Sequence, residues 1–197
     1  MNTLFSSTKA NPRGIPEAPF VEKVEQYVKS PEDFDMCFGK FQDHLSKYKY
    51  MQESKLATIE QLKIKIPDIE NTFNMCQLLK QKSEADVDDG EDEEDNSLLI
   101  NYELNETLFS KAAINPKDPD FKVGLWLGAD VMLEYPLDEA IELLSQKLAD
   151  AKQNLDVSQQ DVEFLRENIT TMEVNCARLY NWDVQRRQQM KTDGPSN

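Results

Sequence analysis

The feature that most limits the fold of this chain is a long apolar repeat in its last third. Thirteen positions, alternately four and three residues apart, follow one another from Leu137 to Leu179, and only Ser158 among them is polar. A 3.5-residue repeat kept for about six heptads predicts an α-helix that buries a narrow stripe against another helix in a left-handed supercoil. Such a helix spans roughly 60 Å between its first and last stripe positions. The stripe consists of Leu137, Ile141, Leu144, Leu148, Ala151, Leu155, Ser158, Val162, Leu165, Ile169, Met172, Cys176 and Leu179.

The first half of the chain carries a second stripe with the same alternation. It consists of Phe34, Phe38, Phe41, Leu45, Tyr48, Gln52, Lys55, Ile59, Leu62, Ile66, Ile69, Phe73 and Cys76. Gln52 and Lys55 interrupt it, and Met51 and Leu56 beside them suggest a local shift of the stripe. Pro67 lies inside this pattern, and we expect it to bend the helix without ending it because the stripe continues in phase. Two helices of similar length in one chain favour an antiparallel hairpin. An ordinary bundle is the alternative, although bundle helices are usually shorter and have a wider apolar face.

The composition is typical of a chain in which most residues face water and few lie in a core. Only 39% of the residues are hydrophobic, 30% are charged, and the net charge is −15. Residues 84–95 hold nine acidic residues and no basic one, which leaves about −6 for the rest. Like charges at this density repel one another, so we expect a disordered loop, with an acidic docking site for a basic partner as the alternative. An acidic chain without a basic face also argues against nucleic-acid binding.

Several other sequence features bear on location and activity. The N-terminus lacks the charged start and apolar core of a signal peptide, and no apolar stretch approaches the roughly 20 residues that cross a bilayer. The three cysteines, an odd number with two on the stripes, indicate neither a disulfide framework nor a zinc site. We therefore expect a cytoplasmic protein with no membrane partner. An enzyme is a weak alternative, because His44 is the only histidine and no phosphate loop, metal-ligand spacing or nucleophile motif is present.

The segment between the two helical patterns predicts two consecutive β-hairpins. Residues 98–104 form a strand, turn at 105–106 and return to Ile114, and residues 121–127 turn through Gly128 into 131–135. Pro136 ends the last strand and Leu137 opens the helix. The predicted fold is therefore mainly α with a small β part, a long antiparallel two-helix coiled coil joined by two β-hairpins.

The second hairpin is predicted to offer apolar surface on both faces. In its first strand Phe121, Val123, Leu125 and Leu127 alternate with a face that includes Trp126. Small isolated sheets are marginal in water and open apolar edges aggregate, so we expect the hairpins to join hairpins of partner subunits. The alternative is that they fold back onto their own helices. The candidate assembly residues are Phe121, Val123, Leu125, Trp126, Leu127, Val131, Leu133 and Tyr135.

The order helix, two hairpins, helix resembles the α-type subunits of prefoldin, a hexameric co-chaperone. Four segments carry the resemblance: residues 14–22 (GIPEAPFVE), 65–69 (KIPDI), 125–135 (LWLGADVMLEY) and 177–184 (ARLYNWDV). It covers residues 14–190, and the acidic segment 84–95 is a departure that looks like an insertion. The resemblance implies a hetero-hexamer of two α-type and four β-type subunits whose hairpins form a double β-barrel. It also implies that the coil ends hold unfolded polypeptides, typically actin and tubulin chains, and pass them to the cytosolic chaperonin without ATP and without a cofactor.

Six segments follow from this interpretation. They are a flexible tail (1–15), an N-terminal tip with the first coiled-coil helix (16–83), an acidic disordered loop (84–97), the two hairpins as assembly region (98–136), the second coiled-coil helix (137–190) and a C-terminal tail (191–197).

Both chain termini are then expected at the coil end away from the hairpins. Apolar groups there, amid charges, are candidates for loose binding of exposed client segments, since several tips sharing one client bind it by multivalency. The alternative is that the same side chains complete the coil or pack on a short N-terminal helix. The candidate client-binding residues are Phe20, Val21, Val24, Val28, Leu179, Tyr180 and Trp182. A structural coiled-coil tether or cytoskeletal adaptor is the competing function, because such a protein also has long helices. It would not need the two apolar hairpins.

Overall fold

The computed structural model describes residues 10–28, 31–84 and 97–192 of the 197-residue chain. The acidic segment that we predict to be a disordered loop therefore lies, except for its ends, outside the described residues, as do most residues of the two predicted tails.

Two long helices enclose four strands in the chain order. A 3-10 helix at Val24–Gln26 is followed by α1 and the strands, and α2 completes the described chain. The predicted fold class is confirmed. The bounds are α1 Pro31–Glu84, β1 Leu98–Asn105, β2 Leu108–Ile114, β3 Lys122–Gly128, β4 Val131–Pro136 and α2 Leu137–Thr192.

Both predicted stripes are the buried faces of these helices. All thirteen positions of each stripe are buried or half-buried, including the polar Gln52, Lys55 and Ser158. The helix α1 continues through Pro67, as the phase of the stripe predicts. A heptad pattern is sufficient to find these faces because a helix side that packs along its whole length must repeat its apolar residues with the period of the packing.

The chain divides into two compact units, of which the first combines the chain up to Gln61 with the chain from Leu155 onward. Its core contains Phe41, Leu165, Met172 and Leu179, all without solvent exposure. The ion pairs show that the helices are antiparallel within this unit. Nζ of Lys49 lies 2.8 Å from a carboxylate oxygen of Glu173, and Nζ of Lys55 lies 3.0 Å from one of Asp161. Residues 10–28 also pack into this core.

The second unit comprises Leu62–Asn154. Its core combines Cys76 of α1 with Ala140 and Leu144 of α2, and burial raises the pKa of the Cys76 thiol, as expected for a cysteine that packs as an apolar residue. The helices are antiparallel here too, since Lys152 pairs with Glu70 at 2.6 Å and Lys80 with Asp138 at 2.7 Å.

The four strands of the second unit form two separate antiparallel hairpins, β1–β2 and β3–β4. The first turns at Glu106 and Thr107, one residue later than predicted. The second turns through Ala129 and Asp130, both with positive φ, after Gly128 at φ +96°, a conformation that glycine adopts without strain. The register shifts between Trp126 and Gly128, so the predicted alternation of faces ends at this bulge.

Candidate assembly and client-binding surfaces

One face of the second hairpin is covered by the helices of its own unit. Leu125 is only 7% exposed and belongs to the core that contains Cys76 and Leu144. Val123 and its cross-strand partner Tyr135 are half-buried against the same core. The alternative that the hairpins fold back onto their own helices therefore describes this face.

The second hairpin nevertheless leaves large apolar side chains in contact with solvent. Trp126 and Met132 are cross-strand partners, and each is 60% exposed. Leu127, Val131 and Leu133 are exposed as well. Of the eight predicted assembly residues, Trp126, Leu127, Val131 and Leu133 are therefore on the surface, whereas Phe121, Val123, Leu125 and Tyr135 are buried or half-buried.

The first hairpin, which lies in the predicted assembly region 98–136 but supplied none of the eight candidate residues, adds a further exposed apolar surface. Each of its five exposed large apolar side chains has more than half of its area in solvent. The signal was present in the sequence, because apolar residues occupy both faces of residues 98–114, and a two-stranded ribbon has no second layer to cover either face. These side chains are Leu99, Tyr102, Leu104, Leu108 and Phe109.

In the first unit, residues 10–28, here called the N-terminal strap, lie alongside α2. The side chains of Val21, Val24 and Val28 are buried in the core between the helices. The hydroxyl of Tyr48 on α1 donates a hydrogen bond of 3.0 Å to the carbonyl oxygen of Pro16. The strap is therefore a third layer of this unit, packed on both helices.

Two asparagines of α2, seven residues apart, hold the main chain of the strap. Asn175 accepts a hydrogen bond from the Val21 N–H at 2.9 Å and donates one to the Pro19 carbonyl at 2.7 Å. Asn168 accepts a hydrogen bond from the Ala18 N–H. Both asparagines are buried, and each satisfies main-chain groups that the extended strap cannot pair within itself.

One heptad earlier, the carboxylate of Asp161 binds the start of the strap. It is fully buried and lies 2.5 Å from Nε of Arg13, 3.0 Å from Nζ of Lys55 and 2.9 Å from the amide nitrogen of Asn11. Burial raises the pKa of this carboxyl, but the hydrogen bonds and charges of Arg13 and Lys55 together lower the pKa by more than burial raises it. The net pKa therefore lies below the ordinary value. Asp161 is therefore an ionised anchor near neutral pH.

One heptad beyond Asn175, the strap is held by aromatic and basic side chains. Nε1 of Trp182 donates to a carboxylate oxygen of Glu25 at 3.0 Å. Arg178 donates to the Val21 carbonyl at 2.7 Å, and its guanidinium lies 4.8 Å from the ring centre of Phe20. Because the contacts advance along strap and helix together, the strap runs in the same direction as α2.

The structure divides the seven predicted client-binding residues into two groups. Phe20 and Tyr180 are 53% and 59% exposed, and Trp182 is half-buried by its contact with the strap. The other four, Val21, Val24, Val28 and Leu179, belong to the core of the first unit.

The chain is similar to known proteins of one family. The family model for prefoldin subunits matches residues 48–182. The chain is 66% identical over 193 residues to prefoldin subunit 3 of Saccharomyces cerevisiae, covering 97% of this chain and 94% of that protein. It is 41% identical over 186 residues to human prefoldin subunit 3, covering 93% and 87%.

The chain belongs to the prefoldin subunit family. The resemblance found in the sequence is thereby confirmed, and since prefoldin subunits are co-chaperones, the prediction that this chain is not an enzyme is confirmed as well. Among solved structures, the chain is similar to the filamentous PFD of Methanocaldococcus jannaschii determined by cryo-EM. The TM-score is 0.47 at 15% identity, covering 68% of this chain and 98% of that one.

Neither long helix, within residues 31–84 and 137–192, is apolar enough to cross a membrane. The described part of the chain also contains no group of three or more histidine, cysteine, aspartate or glutamate side chains arranged to hold a metal ion.

Proposed function

We propose that this chain is one subunit of a cytoplasmic hetero-hexamer of two α-type and four β-type prefoldin subunits. The complex captures unfolded polypeptides, of the actin and tubulin type, and transfers them to the cytosolic chaperonin without ATP. Membership of the prefoldin family and the exposed apolar hairpins support this proposal. The observation that carries it is the exposed apolar surface of the two β-hairpins, which no other described part of the chain covers.

The assembly part of the proposal rests on Trp126, Met132 and the apolar residues of the first hairpin. Exposed side chains of this size, on neighbouring strands, are typical of surfaces that bind another protein. Strand edges that carry such side chains aggregate unless a partner pairs with them or covers them. Assembly with the hairpins of other subunits removes both problems at once.

The client-binding part rests on the side chains that remain exposed beside the strap, Phe20 and Tyr180, with Trp182 between strap and solvent. Burial of one large apolar side chain contributes about 1.5–3 kcal/mol. Contacts of this size hold a client only weakly at one subunit, and several subunits that share one client hold it firmly by multivalency.

The test is a reconstituted hexamer that carries Tyr180→Ala in this subunit. We expect the variant complex to assemble normally and to suppress the aggregation of denatured actin several-fold less than the wild-type complex. Tyr50→Ala is the matched control, since Tyr50 is an even more exposed tyrosine, 74% against 59% for Tyr180, on α1 of the same unit. Equal suppression by both variants would reject the role of Tyr180. A wild-type complex that neither suppresses aggregation nor passes actin to the chaperonin would reject the proposed function.

A further inference from the structure

The middle of the groove that holds the strap, between Asn168 and Arg178, binds main-chain atoms, whereas Asp161 and Trp182 at its two ends bind side chains. Four hydrogen bonds join side chains of Asn168, Asn175 and Arg178 to main-chain atoms of Ala18, Pro19 and Val21. Asn175 pairs with a carbonyl and an N–H two residues apart, as a neighbouring β-strand would. Any extended segment presents the same groups at the same spacing.

The pockets filled by the strap are also undemanding. The buried side chains are small or medium-sized aliphatic groups, namely those of Ala18, Val21, Val24 and Val28. An unfolded polypeptide contains many short segments with alanine or valine at such a spacing. The side chains that enter the groove therefore add affinity for apolar extended segments without selecting one sequence.

We propose that this groove is also a binding site for extended apolar segments of an unfolded polypeptide, and that the strap competes with them for it. The inference rests on the proposed chaperone function and adds to it a mechanism of release. The strap occupies the groove in the free subunit, a client segment replaces it, and return of the strap displaces the client.

The covalent connection of the strap to its own chain makes this competition effective. A tethered competitor acts at an effective concentration on the order of millimolar, whatever the concentration of the complex. The apparent affinity for the client is the affinity of the open groove multiplied by the fraction of time for which the groove is open. Release then requires no nucleotide, because the competitor is always present.

The experiment weakens the strap and leaves the groove unchanged. Val21→Ser together with Val24→Ser removes buried methyl groups of the strap, and Glu22→Ser is the control because Glu22 is an exposed strap residue between them. Each variant is reconstituted into the hexamer, its assembly is checked by light scattering, and the dissociation of fluorescently labelled denatured actin is followed by anisotropy. We expect the double variant to bind actin several-fold more tightly and to release it more slowly, and the control to match the wild type.

A second measurement uses the wild-type complex alone and so does not depend on the folding of a variant. A synthetic peptide of residues 13–28 is added to the complex with bound actin, and a scrambled peptide of the same composition is the control. We expect the strap peptide to speed the release of actin and the scrambled peptide to have no effect.

The outcomes separate this inference from the proposed function. If the wild-type complex holds actin, but the strap peptide does not speed release and the weakened strap does not strengthen binding, the competition is overturned and the chaperone function stands. If the double variant does not assemble, the peptide measurement decides alone. If the wild-type complex holds no unfolded client, the proposed function fails and the inference fails with it.

Discussion

The two units of this chain differ in how far they bury their large apolar side chains. In the first unit, the strap covers the helices, and large side chains such as Phe41, Leu165 and Met172 have no exposure to solvent. In the second unit, one face of the second hairpin is covered, and side chains as large as Trp126 and Tyr102 are mostly exposed. Both units have a core, but the second unit also leaves the large apolar side chains of its two hairpins exposed.

This difference separates stability from assembly. Buried residues of the first unit stabilise the fold of the chain itself, since their apolar area is removed from water on folding. Exposed residues of the hairpins contribute little to that fold, and their apolar area remains available for burial against other subunits. Substitutions in the two units should therefore affect different measurements.

The largest effect on the chain itself is expected from Leu165→Ala in the core of the first unit. Leu165 is fully buried, so its truncation leaves a cavity and lowers the free energy of unfolding by about 2–5 kcal/mol. Leu56→Ala, an exposed position on α1, is the matched control and should change it by less than about 0.5 kcal/mol. Urea unfolding followed by circular dichroism measures both. Equal losses would mean that the core of the first unit is not closed.

Trp126→Ala should weaken assembly with the partner subunits and leave the stability of the chain itself nearly unchanged. Truncation of an exposed aromatic anchor is expected to weaken assembly by about 2 kcal/mol or more, roughly 30-fold in affinity, with little change in the helical content of the chain. The control is Met36→Ala, because Met36 is a similarly exposed apolar residue of the first unit. Analytical ultracentrifugation with the partner subunits measures the effect. If Met36→Ala weakens assembly as much as Trp126→Ala, exposed apolar residues do not distinguish the two units.

Asn175→Ala tests whether the strap belongs to the fold of the first unit. Loss of the side chain leaves the Val21 N–H and the Pro19 carbonyl buried without their partner, which costs about 1–3 kcal/mol. Asn181→Ala, six residues later on α2 and exposed, should be close to neutral. Thermal unfolding compares the two variants. A neutral Asn175→Ala would show that the strap is not held by these hydrogen bonds.

The smallest expected effect concerns pH and the anchor at Asp161. Because the folded state lowers the pKa of this carboxyl, its ionised form stabilises the fold above the ordinary pKa of 3.8, and this contribution is lost as the pH falls through the lower folded value. Asp161→Asn should therefore be less stable than the wild type at pH 7, and the difference should shrink at acidic pH. Urea unfolding at a series of pH values measures it. A difference that does not depend on pH would contradict the ionic role.

The helices and hairpins were predictable because their patterns are local and periodic. The stripe positions follow from a repeat that remains in phase even at Gln52 and Ser158, where the residue type alone gives no support. The hairpins follow from alternation and from turn residues such as Gly128. The sequence did not decide whether the chain's own helices or partner subunits cover a face of the second hairpin. Alternation identifies two faces and does not say which layer covers either of them.

The strap was not predictable in the same way, since its contacts join residues about 150 positions apart. Val21, Val24 and Val28 were expected on an open tip, and the structure buries them in a third layer of the first unit. A signal was present on α2, where Asp161, Asn168 and Asn175 repeat every seven residues beside the apolar stripe. Short polar side chains at this flank, in place of the usual long charged ones, indicate that buried polar groups of another segment pack against it.

The most direct test of the difference between the two units is amide hydrogen exchange, measured for the chain alone and for the assembled complex. We predict that residues 98–136 exchange fast in the chain alone and slow in the complex, whereas residues 15–28 and the core of α2 around Leu165 are protected in both states. Hairpins that are as protected in the chain alone as in the complex would contradict the account, because the second unit would then need no partner.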